Sequence, residues 1–129
     1  MRLVVGYPAA GANDILARLI AEWLSKQFGR SFIVENRPGA ASNIATDAVV
    51  RAPADGYTLL VSSTTNAINQ TLYDKLPFDF IRDIAPIAGM VSSAFVMLVN
   101  PSFPAKTVPE FITYAKANPG GSTSRCRAA

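Results

Sequence analysis

The segment Val4-Val5-Gly6-Tyr7-Pro8-Ala9-Ala10-Gly11-Ala12-Asn13-Asp14-Ile15 constrains this chain more than any other. An apolar run of strand type enters a short loop of small residues, which opens directly into an amphipathic helical pattern. The first turn of a helix has N–H groups without intrahelical acceptors and carries the positive end of the helix dipole. Small loop residues let a ligand approach the backbone there, so the segment reads as an anion-binding place. It contains no nucleophile and no general base. It predicts binding without catalysis.

Composition narrows the alternatives. With 129 residues, half of them hydrophobic and 16% charged, the chain has the make-up of a globular domain with a core. Its net charge is +3, but Arg125 and Arg127 near the end supply two of those charges. No basic stripe with interleaved aromatics points to nucleic acid. There are no histidines and one cysteine, Cys126. That removes imidazole bases, Ser-His-Asp triads, an intrachain disulfide and a thiolate metal cluster. No metal site, cofactor or catalytic residue is expected. No apolar run is long enough for a membrane helix, and because Met1-Arg2 leads straight into a core-type strand, no signal peptide is expected in the sequence as given.

The pattern predicts a strand over Arg2–Gly6 and a helix capped by Asn13 and stopped by Gly29. Ile15, Leu16, Leu19, Ile20, Trp23, Leu24 and Phe28 form one broad apolar face of that helix. Asp14, Arg18, Glu22 and Lys26 form an alternating charge ladder opposite. A strand over Ser31–Glu35, a turn-rich loop over 36–41, a helix from about Ser42 to Arg51 and a strand over Tyr57–Ser62 follow. The second helix is expected to bury Ile44, Ala45, Ala48 and Val49. A polar loop, Ser63 to Asn66, leads to a short helix around Ala67–Tyr73. Two further strands are expected at Ile87–Val91 and Phe95–Val99. A last helix begins with the capping box Thr107-Val108-Pro109-Glu110, its core face formed by Val108, Phe111, Ile112 and Ala115. The final residues, 120–129, read as a disordered tail.

Alternation of strand and helix predicts an α/β fold with a parallel sheet and helices on both faces. In such sheets ligands bind beyond the carboxyl ends of the strands, where the strand order reverses. With strand order 2-1-3 the two facing loops carry the candidate ligand-binding residues Tyr7, Ala9, Ala10, Gly11, Ala12 and Asn13 on one side, and Ser62, Ser63, Thr64 and Thr65 on the other. One loop offers amides and the other hydroxyls, a set suited to a small carboxylate. Each also has a purely structural role open to it. Gly6 and Gly11 suit a tight turn, Asn13 a helix cap, and the hydroxyls a cap of the next helix. Arg37 is a clamp or a structural loop residue. Asp14, a carboxylate beside an anion site, is left out of the ligand shell as a partner of Arg18. Gly6-Tyr7-Pro8-Ala9-Ala10-Gly11 is not the dinucleotide fingerprint, and no P-loop Gly-Lys-Ser/Thr is present.

Five stretches in order carry a family resemblance: Tyr7-Pro8-Ala9-Ala10-Gly11-Ala12-Asn13-Asp14, Val34-Glu35-Asn36-Arg37-Pro38-Gly39-Ala40, Ala54-Asp55-Gly56-Tyr57-Thr58-Leu59-Leu60, Asn100-Pro101-Ser102 and Lys116-Ala117-Asn118-Pro119-Gly120. The chain resembles the Bug-type substrate-binding receptors of tripartite tricarboxylate transporters from about Arg2 to Gly120. The resemblance implies a type II periplasmic-binding-protein fold, of which residues 1–119 form the first lobe and residues 120–129 a tail outside the family pattern. It implies a periplasmic receptor for a small carboxylate or amino acid, partnered by membrane transporter subunits and closing between two lobes. An incomplete lobe would bind weakly and self-associate through exposed surface near the hinge. Ala10 stands where the family carries glycine, so its Cβ narrows the approach to the backbone. The competing expectations are a remnant that folds without binding and a small α/β enzyme for an anionic ligand.

Overall fold

A computed structural model describes residues 1–92, 94 and 96–119. The chain divides into two compact units, Met1–Ala88 and Gly89–Ala129. The expected tail, residues 120–129, lies outside the described residues.

Unit one is built on a three-stranded parallel sheet: β1 (Arg2–Val5), β2 (Ile33–Asn36) and β3 (Thr58–Val61), in the order β2-β1-β3. Val5 stands beside Asn36 on one side and Val61 on the other. The three strands therefore deliver their carboxyl ends to one rim. Leu3, Val4 and Val5 are all buried, as a central strand covered on both faces requires. Leu3, Val5, Ala17 and Val61 form the core, with Tyr7, Phe32 and Val34 packed against it.

Helix α1 (Ala12–Phe28) runs between β1 and β2 and packs against both. Its N-cap is Gly11, two residues before the expected Asn13, and no side chain caps it. Gly29 ends it with φ 60°, the left-handed conformation glycine adopts without a Cβ penalty. The apolar face meets the sheet in an unexpected way. Ala17, Ala21 and Asp14 are buried, whereas Ile15, Leu19, Trp23 and Phe28 are all more than half exposed. Two alanines four residues apart let the helix backbone settle close to the strands, and the larger residues flank that line.

Helix α2 (Asn43–Val50) follows a tight turn and packs on β3 and β1; helix α3 (Thr64–Leu72) follows β3. In α2, Ala45 is buried but Ile44 is exposed. A single-turn helix, α4 (Phe80–Asp83), is capped by Asp79, whose side chain accepts from the amides of Ile81 and Arg82.

The described residues of the expected strands at 87–91, which spans the boundary between the units, and 95–99, in unit two, lie outside any ladder. Helix α5 (Val108–Ala117) has its predicted cap, Thr107, with Pro109 in the first turn. The Glu110 carboxylate accepts from Lys106 N–H at 2.8 Å, one residue before the cap. None of its expected core residues is fully buried. Phe111 and Tyr114 gather around Phe103, with ring centroids 5.7 and 4.8 Å away.

Candidate functional site

Three loops leave the carboxyl rim of the sheet: residues 6–11 after β1, 37–42 after β2, and 62–63 after β3. The first and third are tied directly, since Tyr7 Oη and Ser63 Oγ lie 2.6 Å apart. The two expected sides of the site are therefore neighbours.

The first loop is shaped by a buried carboxylate. Asp14 is 2% exposed. Ala10 N–H donates to its Oδ2 at 2.8 Å and Arg18 Nε donates to the same oxygen at 2.9 Å. Its Oδ1 accepts from Asn36 Nδ2 at 2.9 Å, and that amide also donates to the Tyr7 carbonyl. The Arg18 guanidinium first, then the Ala10 amide and the Asn36 side chain, hold the Asp14 carboxyl at about 2, below its ordinary 3.8. Asp14 is thus a paired anchor that folds the loop back on its own helix. Arg18 offsets its charge beside the rim.

The loop amides divide into two sets. Ala10 N–H is taken by Asp14, and Gly11 N–H leans on the Pro8 carbonyl at 3.4 Å. Ala9, Ala12, Asn13 and Asp14 N–H donate to no described residue, the last three being the first-turn donors of α1. The expectation that Ala9 to Asn13 all offer free amides is corrected for Ala10, whose donor is committed to Asp14, and for Gly11, whose donor is taken by the Pro8 carbonyl. Ala10 adopts φ 66°, so a glycine-type conformation is held here by a residue with a Cβ.

On the third loop, α3 begins at Thr64, three residues earlier than its pattern suggests. Thr64 and Thr65 are first-turn helix residues, and only Ser62 and Ser63 precede the helix. Ser63 caps α3, its N–H donating to Asn66 Oδ1 at 2.9 Å. Ser63 Oγ is already shared with Tyr7. Arg37 pairs with Glu35, its Nη2 2.7 Å from Oε1, so this candidate clamp is engaged at the outer strand.

The second loop was read only as a turn, yet it supplies the tightest packing at the rim. Ala40, Ala41 and Ser42 have φ of 44°, 52° and 73°, after Gly39 at 129°. Three non-glycine residues in succession occupy the left-handed region. Ser42 lies directly against Gly6. A buried polar seam then joins α2 to α3. Asn66 Nδ2 donates to Ser42 Oγ at 3.1 Å and Thr46 Oγ1 at 2.9 Å, and Asn69 Nδ2 donates to the Ala41 carbonyl and Asn43 Oδ1, both at 2.8 Å. The sequence carried a signal for this seam: Asn43 and Thr46, and Asn66 and Asn69, are spaced i,i+3, so each pair shares a helix face.

A cavity of about 350 Å³ lies away from this rim, at the carboxyl end of α3, lined by Gln70, Tyr73, Asp74, Phe78, Asp79 and Arg82. Its polar groups serve the chain itself: Gln70 accepts from Phe80 N–H, Asp79 caps α4, and Arg82 pairs with Asp83. Among the described residues, no three His, Cys, Asp or Glu side chains converge as metal ligands, and no helix is long and apolar enough to cross a membrane.

The first unit is a parallel α/β unit whose first-turn amides at the carboxyl rim have no acceptor among the described residues. Comparison with known proteins identifies the family. Residues 16–124 match the profile described as tripartite tricarboxylate transporter family receptor. The chain belongs to this family. Protein BugT of Bordetella pertussis is 33% identical over 122 residues, 93% of this chain and 37% of the relative. A solved periplasmic transporter is 37% identical with a TM-score of 0.71, over 92% of this chain and 40% of that one. MatC from Rhodopseudomonas palustris, solved with bound malate, is 29% identical with a TM-score of 0.70, over 90% and 40%. The chain thus spans about 40% of the length of these relatives.

Proposed function

We propose that this chain provides the carboxylate-gripping wall of a periplasmic solute receptor, which passes a small carboxylate to the membrane subunits of a tripartite tricarboxylate transporter. One observation carries the reading. The unpaired amides of Ala9, Ala12, Asn13 and Asp14 open on a rim where Tyr7 and Ser63 hold two loops together. A carboxylate placed there accepts from the end of α1 and gains from its dipole. Ser62, Thr64 and Thr65 offer uncharged hydroxyls for the remainder of the ligand, with Tyr7 as a wall. Ala10 and Gly11 shape the loop more than they donate. The malate held by a relative of matching fold supports a dicarboxylate as ligand. The matching family is one of receptors, and the proposal contains no chemical step.

The described residues grip one carboxylate only. Three of these four amides bonding the carboxylate at about 1.5 kcal/mol each give roughly −4.5 kcal/mol, or a dissociation constant between about 0.5 and 1 mM. An amide-resolved NMR titration of the chain with malate tests this. Saturable shifts at Ala9, Ala12 and Asn13 with a midpoint near 1 mM are expected on that arithmetic. Silent first-loop amides at about 50 mM malate, far above that midpoint, would refute it.

A further inference from the structure

We propose that Asn66 is the positioning residue of this rim, fixing the start of the first loop through the two loops that flank it. Its functional consequence rests on the carboxylate-binding reading above. The geometry points to it because Asn66 does more than cap α3. A cap needs only the side-chain oxygen, and Asn66 Oδ1 meets that need with Ser63 N–H. Both hydrogens of its amide nitrogen go elsewhere, to Ser42 and Thr46.

Each arm of Asn66 ends one contact away from the first loop. Ser63, held through its N–H, places its Oγ on the Tyr7 hydroxyl at 2.6 Å. Ser42, held through its Oγ, sits so close to Gly6 that a Cβ there would lie 1.8 Å from the same oxygen. Gly6 and Tyr7 are the residues from which the first loop departs. One buried side chain, 2% exposed, thus grips both. Asn69 supports it one turn along, holding the Ala41 carbonyl so that the left-handed turn carries Ser42 toward Asn66. Disturbing Asn66 therefore moves the amides at Ala9, Ala12 and Asn13, although it touches none of them.

The test is a double-mutant cycle on the whole chain with two readouts. Asn66→Gln preserves an acceptor for the Ser63 amide but misplaces the two donors. Tyr7→Phe removes the hydroxyl at the far end of the relay. In unfolding equilibria the pair should be coupled by about fivefold in the unfolding constant, where independent sites are additive. In NMR titrations with malate, each variant should raise the midpoint about tenfold, and the double variant scarcely further. Additivity within about twofold, or a malate midpoint unchanged in a folded Asn66→Gln chain, overturns the proposal. If the wild-type amides do not respond to malate, the carboxylate reading fails and the unfolding cycle alone decides the positioning role. Should Asn66→Gln not fold, Thr46→Val replaces it, since it deletes one acceptor of the Asn66 amide and leaves the cap intact.

Discussion

Replacing Gly6 with alanine tests how the rim is packed. The added methyl would lie 1.8 Å from Ser42 Oγ, 2.5 Å from its Cβ and 2.8 Å from its Cα. A rotamer change moves the hydroxyl but not the Cα. The Cβ is fixed by the backbone as well, so the left-handed turn carrying Ser42 must retreat by roughly 1 Å to reach ordinary contact. Overpacking of this kind costs about 1–3 kcal/mol. Retreat also breaks the bond from Asn66 to Ser42, adding about 1 kcal/mol. Against this, alanine restricts the unfolded chain and returns about 0.5 kcal/mol, because Gly6 does not need a positive φ. The steric term wins, and the net loss is about 3 kcal/mol. For a unit of this size that corresponds to a fall in Tm of roughly 10–20 °C.

Urea titration followed by far-ultraviolet circular dichroism measures the loss directly. Gly56→Ala is the control. It has φ 78° but nothing within 4 Å of the new methyl, so only the left-handed penalty of about 1 kcal/mol applies. Adding Ser42→Gly to Gly6→Ala removes two of the three clashing atoms and should recover more than half of the loss. A Gly6→Ala chain destabilised by less than about 1 kcal/mol, or no recovery in the double variant, would refute the claim that this contact sets the rim.

Ala41→Gly should stabilise the chain by about 0.5–1 kcal/mol, because φ 52° strains alanine by more than glycine gains in unfolded entropy. A lower Tm for that variant would contradict the strained turn. For Asp14, whose carboxyl is depressed to about 2, the folded state binds the proton less readily than the unfolded state. The stability it supplies is complete above pH 4 and is lost as the pH falls toward 2. Acid titration of the wild type and Asp14→Asn should therefore differ in slope across that window and run parallel above it. The exposed apolar residues Ile87 and Leu98, both more than three-quarters accessible, should drive self-association. Sedimentation velocity should show larger species as concentration rises, reduced in an Ile87→Lys, Leu98→Lys double variant.

The sheet was legible because its signals are local. Apolar runs bounded by loops, a helix-length pattern between them and the crossover rule suffice to predict the order β2-β1-β3. The depth of α1 was not legible. Its periodicity marks a broad apolar sector but does not say which edge meets the strands, and small residues at 17 and 21 allowed the closer approach. The expected strands at 87–91 and 95–99 had suitable residues. A strand also needs a neighbour to receive its N–H and C=O groups, which residue pattern cannot supply.

The site divides along the same line. That a helix begins at the rim is written in Gly11 to Ile15, but which amides stay free depends on a carboxylate folding back over its own helix start. Asp14 was set aside as a charge that would repel an anion. Buried, paired with Arg18 and bonded to Ala10, it instead decides which loop amides stay free. It removes the Ala10 donor from the loop, so the amides left without acceptors among the described residues are those of Ala9 and, in the first turn of α1, Ala12, Asn13 and Asp14. On the proposed reading, the grip on a carboxylate is set mainly by the helix end, with the loop serving to hold that end open. Ala10 keeps its N–H on Asp14 while its backbone holds the left-handed φ of 66°, so the turn that commits this donor is made by a residue with a Cβ.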